Sequence, residues 1–167
     1  FCNSSIEKVT IENNLTLQII GEKAFSKCEN LQQFKIPFDS KLETIGKRAF
    51  SETSIESFSI PVNLKQICDG AFFVCKNLKT FEIPVNSKLQ MIGIESFLLS
   101  SIKRISIPFN LSQICEGAFS NCEHLKHVEI PPNSNLKIIE DHAFSRISIR
   151  RIFIPKQVTQ ICNKAFE

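Results

Sequence analysis

The dipeptide Ile-Pro returns six times, at Ile36-Pro37, Ile60-Pro61, Ile83-Pro84, Ile107-Pro108, Ile130-Pro131 and Ile154-Pro155, in steps of 24, 23, 24, 23 and 24 residues. A second marker, Ala-Phe, ends at Phe25, Phe50, Phe72, Phe119, Phe144 and Phe166. Phe97, preceded by Ser96 instead of Ala, fills the gap, and the steps alternate between 25 and 22. Self-similarity at such a period marks a stack of repeated supersecondary units, none of which can bury its apolar face alone. Long and short turns alternate with a joint period of 47. The long type carries two extra residues after Pro, as in Pro37-Phe38-Asp39-Ser40-Lys41-Leu42, and the short type reads Pro61-Val62-Asn63-Leu64. Residues 68–92 match residues 115–139 at 14 of 25 positions, far beyond chance. Seven turns begin near Ile6, Leu31, Ile55, Leu78, Ile102, Leu125 and Ile149 and form one domain over residues 1–167. The start at Phe1 and the incomplete last turn are read as those of a piece of a longer protein.

Each turn opens on the pattern Leu31-Gln32-Gln33-Phe34-Lys35-Ile36-Pro37. Phe34 and Ile36 alternate with Gln33 and Lys35, the two-residue period of a strand with one buried face. Pro has no N–H to give to a ladder, so it ends the strand and turns the corner. A second apolar group, Leu42-x-x-Ile45, precedes Gly46-Lys47-Arg48-Ala49-Phe50, too short for a free helix and expected to form one or two turns of α- or 3₁₀-helix on the convex side. The expected fold class is α/β: a leucine-rich-repeat solenoid, or horseshoe, with a parallel concave β-sheet and short helical segments outside it.

The pattern L-x-x-(F/I)-x-I-P…L-x-x-I-(G/C)-x-x-A-F-x-x-C resembles the Treponema pallidum-type leucine-rich repeat of BspA-like proteins. Leu78 to Pro84, Leu89, Ile92, Gly93, Ala118, Phe119 and Cys122 carry the match. The resemblance covers residues 6–167, departing at Ile94-Glu95-Ser96 and where cysteines replace the usual Gly. The Asn-Ser-Lys-Leu insert and the Lys/Asn-rich usage are most similar to the large set in Trichomonas. The family implies a surface protein of bacteria or protists acting in adhesion, without catalytic residues.

Other signals point the same way. A net charge of +3 is too small to imply nucleic acid. No nucleophile–base set, phosphate-binding Gly loop or paired-carboxylate arrangement stands out, so no enzyme and no cofactor is expected. No apolar run approaches the ~20 residues of a membrane span, so membrane attachment would come through segments outside this chain. The seven cysteines include two columns, Cys28/Cys75/Cys122 and Cys68/Cys115/Cys162, whose members recur every second turn. Members of a column would lie about 9.6 Å apart, too far for a disulfide. Cys68–Cys75 and Cys115–Cys122 remain conceivable, but buried free thiols are favoured. The run Cys122-x-His124-x-x-His127 resembles a metal site in isolation, yet the repeat sends Cys122 to the core and His127 to the open face, so no metal is expected.

Sequons occur at Asn3, Asn14 and Asn110. Asn14, Asp39, Asn63, Asn86, Asn110 and Asn133 also share one repeat position just past the strand, where Asx side chains bond nearby backbone. The expected docking surface is the concave sheet, which a solenoid offers as a wide, preordered area. Its C-terminal half is basic: Lys103, Arg104, Lys126, His127, Arg150 and Arg151, with Phe153 standing where other turns place a polar residue. Such a face suits an acidic protein or sulfated glycan, expected from host or matrix. Localisation is expected at the cell surface or outside the cell. Seven cysteines without clear pairing leave a cytoplasmic scaffold as the alternative.

Overall fold

The computed structural model describes residues 1–12 and 16–167, which wind into a β-solenoid. Six three-residue strands lie at the repeated pattern positions: β1 (Lys8–Thr10), β3 (Gln33–Lys35), β5 (Ser57–Ser59), β7 (Thr80–Glu82), β9 (Arg104–Ser106) and β11 (His127–Glu129). Seven two-residue strands form a second wall: β2 (Ile19–Ile20), β4 (Thr44–Ile45), β6 (Gln66–Ile67), β8 (Met91–Ile92), β10 (Gln113–Ile114), β12 (Ile138–Ile139) and β13 (Gln160–Ile161). All pairings are parallel and coil-to-coil, such as Phe58 with Phe81 and Ile45 with Ile67. The second wall is what the Leu42-x-x-Ile45 group becomes. Two-residue strands are too short to show a periodicity of their own.

The expected helices are absent among the described residues, and the hydrogen bonds say why. In residues 46–52 alternate N–H groups leave the coil. Arg48 donates to Asp69 O, Phe50 to Ala71 O and Glu52 to Phe73 O, at 2.8 to 3.0 Å. The intervening N–H groups close tight turns, Ala49 to Gly46 O and Ser51 to Arg48 O. A helix would need every N–H for its own carbonyl four residues back. Arg48 and Glu52 also stand at φ of 52° and 58°, left-handed values incompatible with a right-handed helix. The convex side is therefore a third hydrogen-bonded ladder. A helix about 10 Å wide has no place in a layer repeating at roughly 4.8 Å.

Inside, like stands over like. Phe1, Phe25, Phe50, Phe72, Phe97, Phe119, Phe144 and Phe166 form a continuous column, successive rings 5.2 to 5.4 Å apart and 4° to 9° from parallel. Phe1 thus ends the column at its exposed tip, and its 24-residue step to Phe25 lies outside the alternation of 25 and 22 that marks the series. A shorter column from the strands, Phe34, Phe58 and Phe81, meets the first edge-on. Aromatic contacts of both kinds add to the burial itself.

One junction differs. Between the turns starting at Leu78 and Ile102 the ladder pairing lapses from β7 to β9 and from β8 to β10, although Lys103 N–H still donates to Lys79 O at 3.2 Å. The convex ladder continues across it through Phe97 N–H to Ala118 O at 2.8 Å. The strand-side core changes there from Phe81 to Ile105. The turn before it carries Ser96, whose buried hydroxyl finds no partner.

Candidate binding face

Along the first sheet the burial pattern is exposed–buried–exposed in β3, β5, β7 and β9. Each strand therefore offers two outward side chains, set in register with those of the next coil. Arg104 and His127 are direct neighbours in the β9–β11 ladder. Lys103 and Lys126 are exposed just ahead of them. Arg150, Arg151 and Phe153 are exposed as well, Phe153 by 59%, but not on a strand as expected. Residues 150–155 pair with nothing in the first sheet, although the same coil keeps β13 on β12 and the convex bond from Phe144 N–H to Ala165 O.

Clefts lie along the basic face. One of about 360 Å³ is lined by Arg104, Lys126, His127, Glu129, Arg151 and Phe153 among others. A second, of about 820 Å³, lies between Lys126, His127 and the segment 148–151. All seven residues singled out from the sequence thus gather at one end of one face.

The remaining candidates resolve differently. Cys28, Cys75 and Cys122 point inward, each thiol 3.0 Å from the Phe carbonyl of the preceding coil: Phe1, Phe50 and Phe97. Ser4, Thr53 and Ser100 hydroxyls lie within 3.3 to 3.5 Å of the same sulfurs. This thiol-to-carbonyl bond recurs every second turn, which accounts for the 47-residue spacing of the column. All seven cysteines are free, including Cys68 and Cys115. Burial pushes the Cys75 and Cys122 thiols up to about 11. Iodoacetamide at mildly alkaline pH is therefore expected to label exposed Cys2 first and to leave Cys75 and Cys122 unreacted until the chain unfolds, read by peptide mass. Because these thiols ionise later folded than unfolded, their contribution to stability is present below pH 9.0 and is lost as pH rises through about 11. Denaturant midpoints should fall across that window, and less so in Cys75→Ser/Cys122→Ser. His127 and Cys122 diverge as the repeat requires, one outward and one buried.

Asn3 is exposed in a left-handed turn with φ 59°. Asn14 lies outside the described residues. Asn110 is exposed and its amide donates to Ser87 O at 3.1 Å, as Asn63 donates to Ser40 O at 3.0 Å. This Asx position ties each short turn to the insert of the preceding long one. One surface was missed. The residue after Ile-Pro is apolar in five successive turns, Phe38, Val62, Val85, Phe109 and Pro132. Val85 is fully exposed and Phe109 42% exposed, along a groove of about 430 Å³. The signal was legible in the column.

The family model for the BspA type leucine rich repeat region matches residues 1–122 and 90–167, in six copies. The chain belongs to this BspA-type family. Among solved structures, a leucine-rich repeat protein from Bacteroides ovatus superposes with a TM-score of 0.76 at 26% identity, over 92% of this chain and 38% of that one. The Treponema pallidum leucine-rich repeat protein gives 0.76 at 23% identity, over 96% and 71%. A leucine rich cell surface protein of Faecalibacterium prausnitzii gives 0.61 at 22%, over 96% and 45%. This BspA-type chain therefore spans well under half of the first and third of these. No curated protein matches it.

Proposed function

We propose that this BspA-type chain is a non-catalytic adhesion module of a cell surface, docking an acidic macromolecule of host or matrix on the basic end of its first sheet. The observation that carries this reading is the gathering of Lys103, Arg104, Lys126, His127, Arg150 and Arg151 on one rigid face beside exposed Phe153. A field of one sign on a preordered surface steers and holds ligands of the other sign. The Faecalibacterium prausnitzii neighbour, described as a cell surface protein, supports the location. The test is binding of the chain to host cells and matrix-coated surfaces. Retention should be salt-sensitive and strongly reduced by Arg104→Glu/Arg151→Glu. Failure to bind any of these surfaces would overturn the reading.

A second reading, an intracellular interaction scaffold, draws on the seven free thiols, which suit a reducing compartment. Locating the full-length protein by surface labelling of intact cells separates the two.

A further inference from the structure

We propose that the basic end of the first sheet is a binding site for a linear sulfated glycan; this names the ligand class of the adhesion reading and rests on it. Five cations and His127 stand in two rows along the solenoid axis, one member per coil: Lys103, Lys126 and Arg150, then Arg104, His127 and Arg151. None of them has an ion pair or side-chain hydrogen bond, whereas the ion pairs found among the described residues are Lys23–Glu22, Lys65–Glu43 and Lys164–Glu167. The opposite half of the same face is balanced, with Lys8, Lys35 and Lys79 interspersed with Glu7, Glu56 and Glu82. In the basic half the carboxylate lining the first cleft is Glu129, and its Oε2 already accepts from Ser106 Oγ at 3.1 Å. The protein thus leaves the charge of these rows uncompensated. It also forgoes a strand pairing beside them, since residues 150–155 form no ladder with β11.

The choice between glycan and protein follows from what else the face offers. Protein interfaces draw their energy from apolar and aromatic anchors, Trp and Tyr above all. The chain has neither of these residues, and Phe153 is the aromatic ring among the residues lining the basic clefts. A sulfated sugar asks for what is present. Arginine forks take two oxygens of one sulfate. A single ring, sharing its cleft with Arg104, Lys126, His127 and Arg151, can lie against the C–H face of a sugar. Rows that repeat at the coil step, about 4.8 Å where the strands pair, suit a polymer whose charges also repeat.

The experiment measures binding of the whole chain to immobilised heparin, to heparin stripped of its sulfates and to poly-glutamate, at about 0.15 M salt, where distant charges are screened. Heparin should bind, with the other two at least tenfold weaker, roughly the loss of one or two charge-assisted contacts. Arg104→Ser/Arg151→Ser should weaken heparin binding by a similar factor. Lys8→Ser/Lys35→Ser, on the balanced half, should change it by less than about twofold. Unchanged unfolding midpoints show that both variants fold. Equal or tighter binding of poly-glutamate would overturn the proposal in favour of an acidic peptide, and equal losses in both variants would overturn it in favour of diffuse charge. Absence of heparin binding in a chain that still attaches to cells would sink the glycan assignment and leave the adhesion reading standing.

Discussion

Replacing Phe97 by alanine is expected to lower stability by about 3–5 kcal/mol, the usual cost of deleting a buried Phe ring. The ring is fully buried and stacked 5.3 Å from Phe72 and 5.2 Å from Phe119, and its edge contact with Phe81 spans 4.7 Å at 77°. In a solenoid each coil touches only its neighbours, so no distant part of the core compensates. The position also sits beside the junction where the ladder pairing of both walls lapses. The stack from Phe97 to Phe119 and the bond to Ala118 O cross it, beside the bonds from Glu95 N–H to Glu116 O and Leu99 N–H to Ser120 O. The variant should therefore lose cooperativity as well as midpoint in urea, with a smaller m-value as the two halves melt apart. Phe153→Ala, which removes an exposed ring, should stay within about 0.5 kcal/mol. An unchanged melting curve for Phe97→Ala would contradict the continuous core.

A methyl group at Gly46 is the second large expectation. A Cβ there would lie 2.7 Å from Gly21 C, 2.8 Å from Glu22 N and 2.9 Å from Ile20 O. All three are backbone atoms of the preceding coil, so no rotamer relieves the clash. The coils must move apart, loosening the 2.8 Å bond from Gly46 N–H to Ile20 O. Overpacking of this kind costs about 1–3 kcal/mol. Gly21→Ala is the control, because nothing lies within 4 Å of its Cβ. It should be neutral or slightly stabilising through the unfolded state. Glu140 occupies the equivalent position two repeats of the long turn later and shows how a side chain is accommodated there. Its carboxylate takes the Glu116 N–H at 2.8 Å. Alanine at position 46 brings the bulk without that bond. Thermal unfolding of the two glycine variants decides the matter, and equal midpoints would refute the close approach of the coils.

Much of the geometry of the candidate face was legible beforehand. Gln33, Phe34 and Lys35 alternate outward, inward, outward because a two-residue period reports which side of a strand is wet. The cationic rows could thus be placed from the repeat alone. Arg151 and Phe153 were assigned to the right face but to a strand that does not form. The alternation is present in residues 150–155, but whether a ladder closes depends on the neighbouring coil and has no local signature. The apolar corner at Val85 and Phe109 was readable in the column after each Pro and was passed over.

By itself, the sequence determined the coil: its length, the residues facing its interior, the corner at each Pro and the column in which each Phe stacks. These depend on spacing along one chain, and burial of apolar area rewards that spacing wherever the coils stack. Only the tertiary structure decided where the backbone N–H groups of residues 46–52 go. In isolation they could serve a short helix. Once coils approach at strand spacing, the carbonyls of the next coil compete for them and win, because a bond at 2.8 Å to Ala71 O satisfies the group and joins two layers at once.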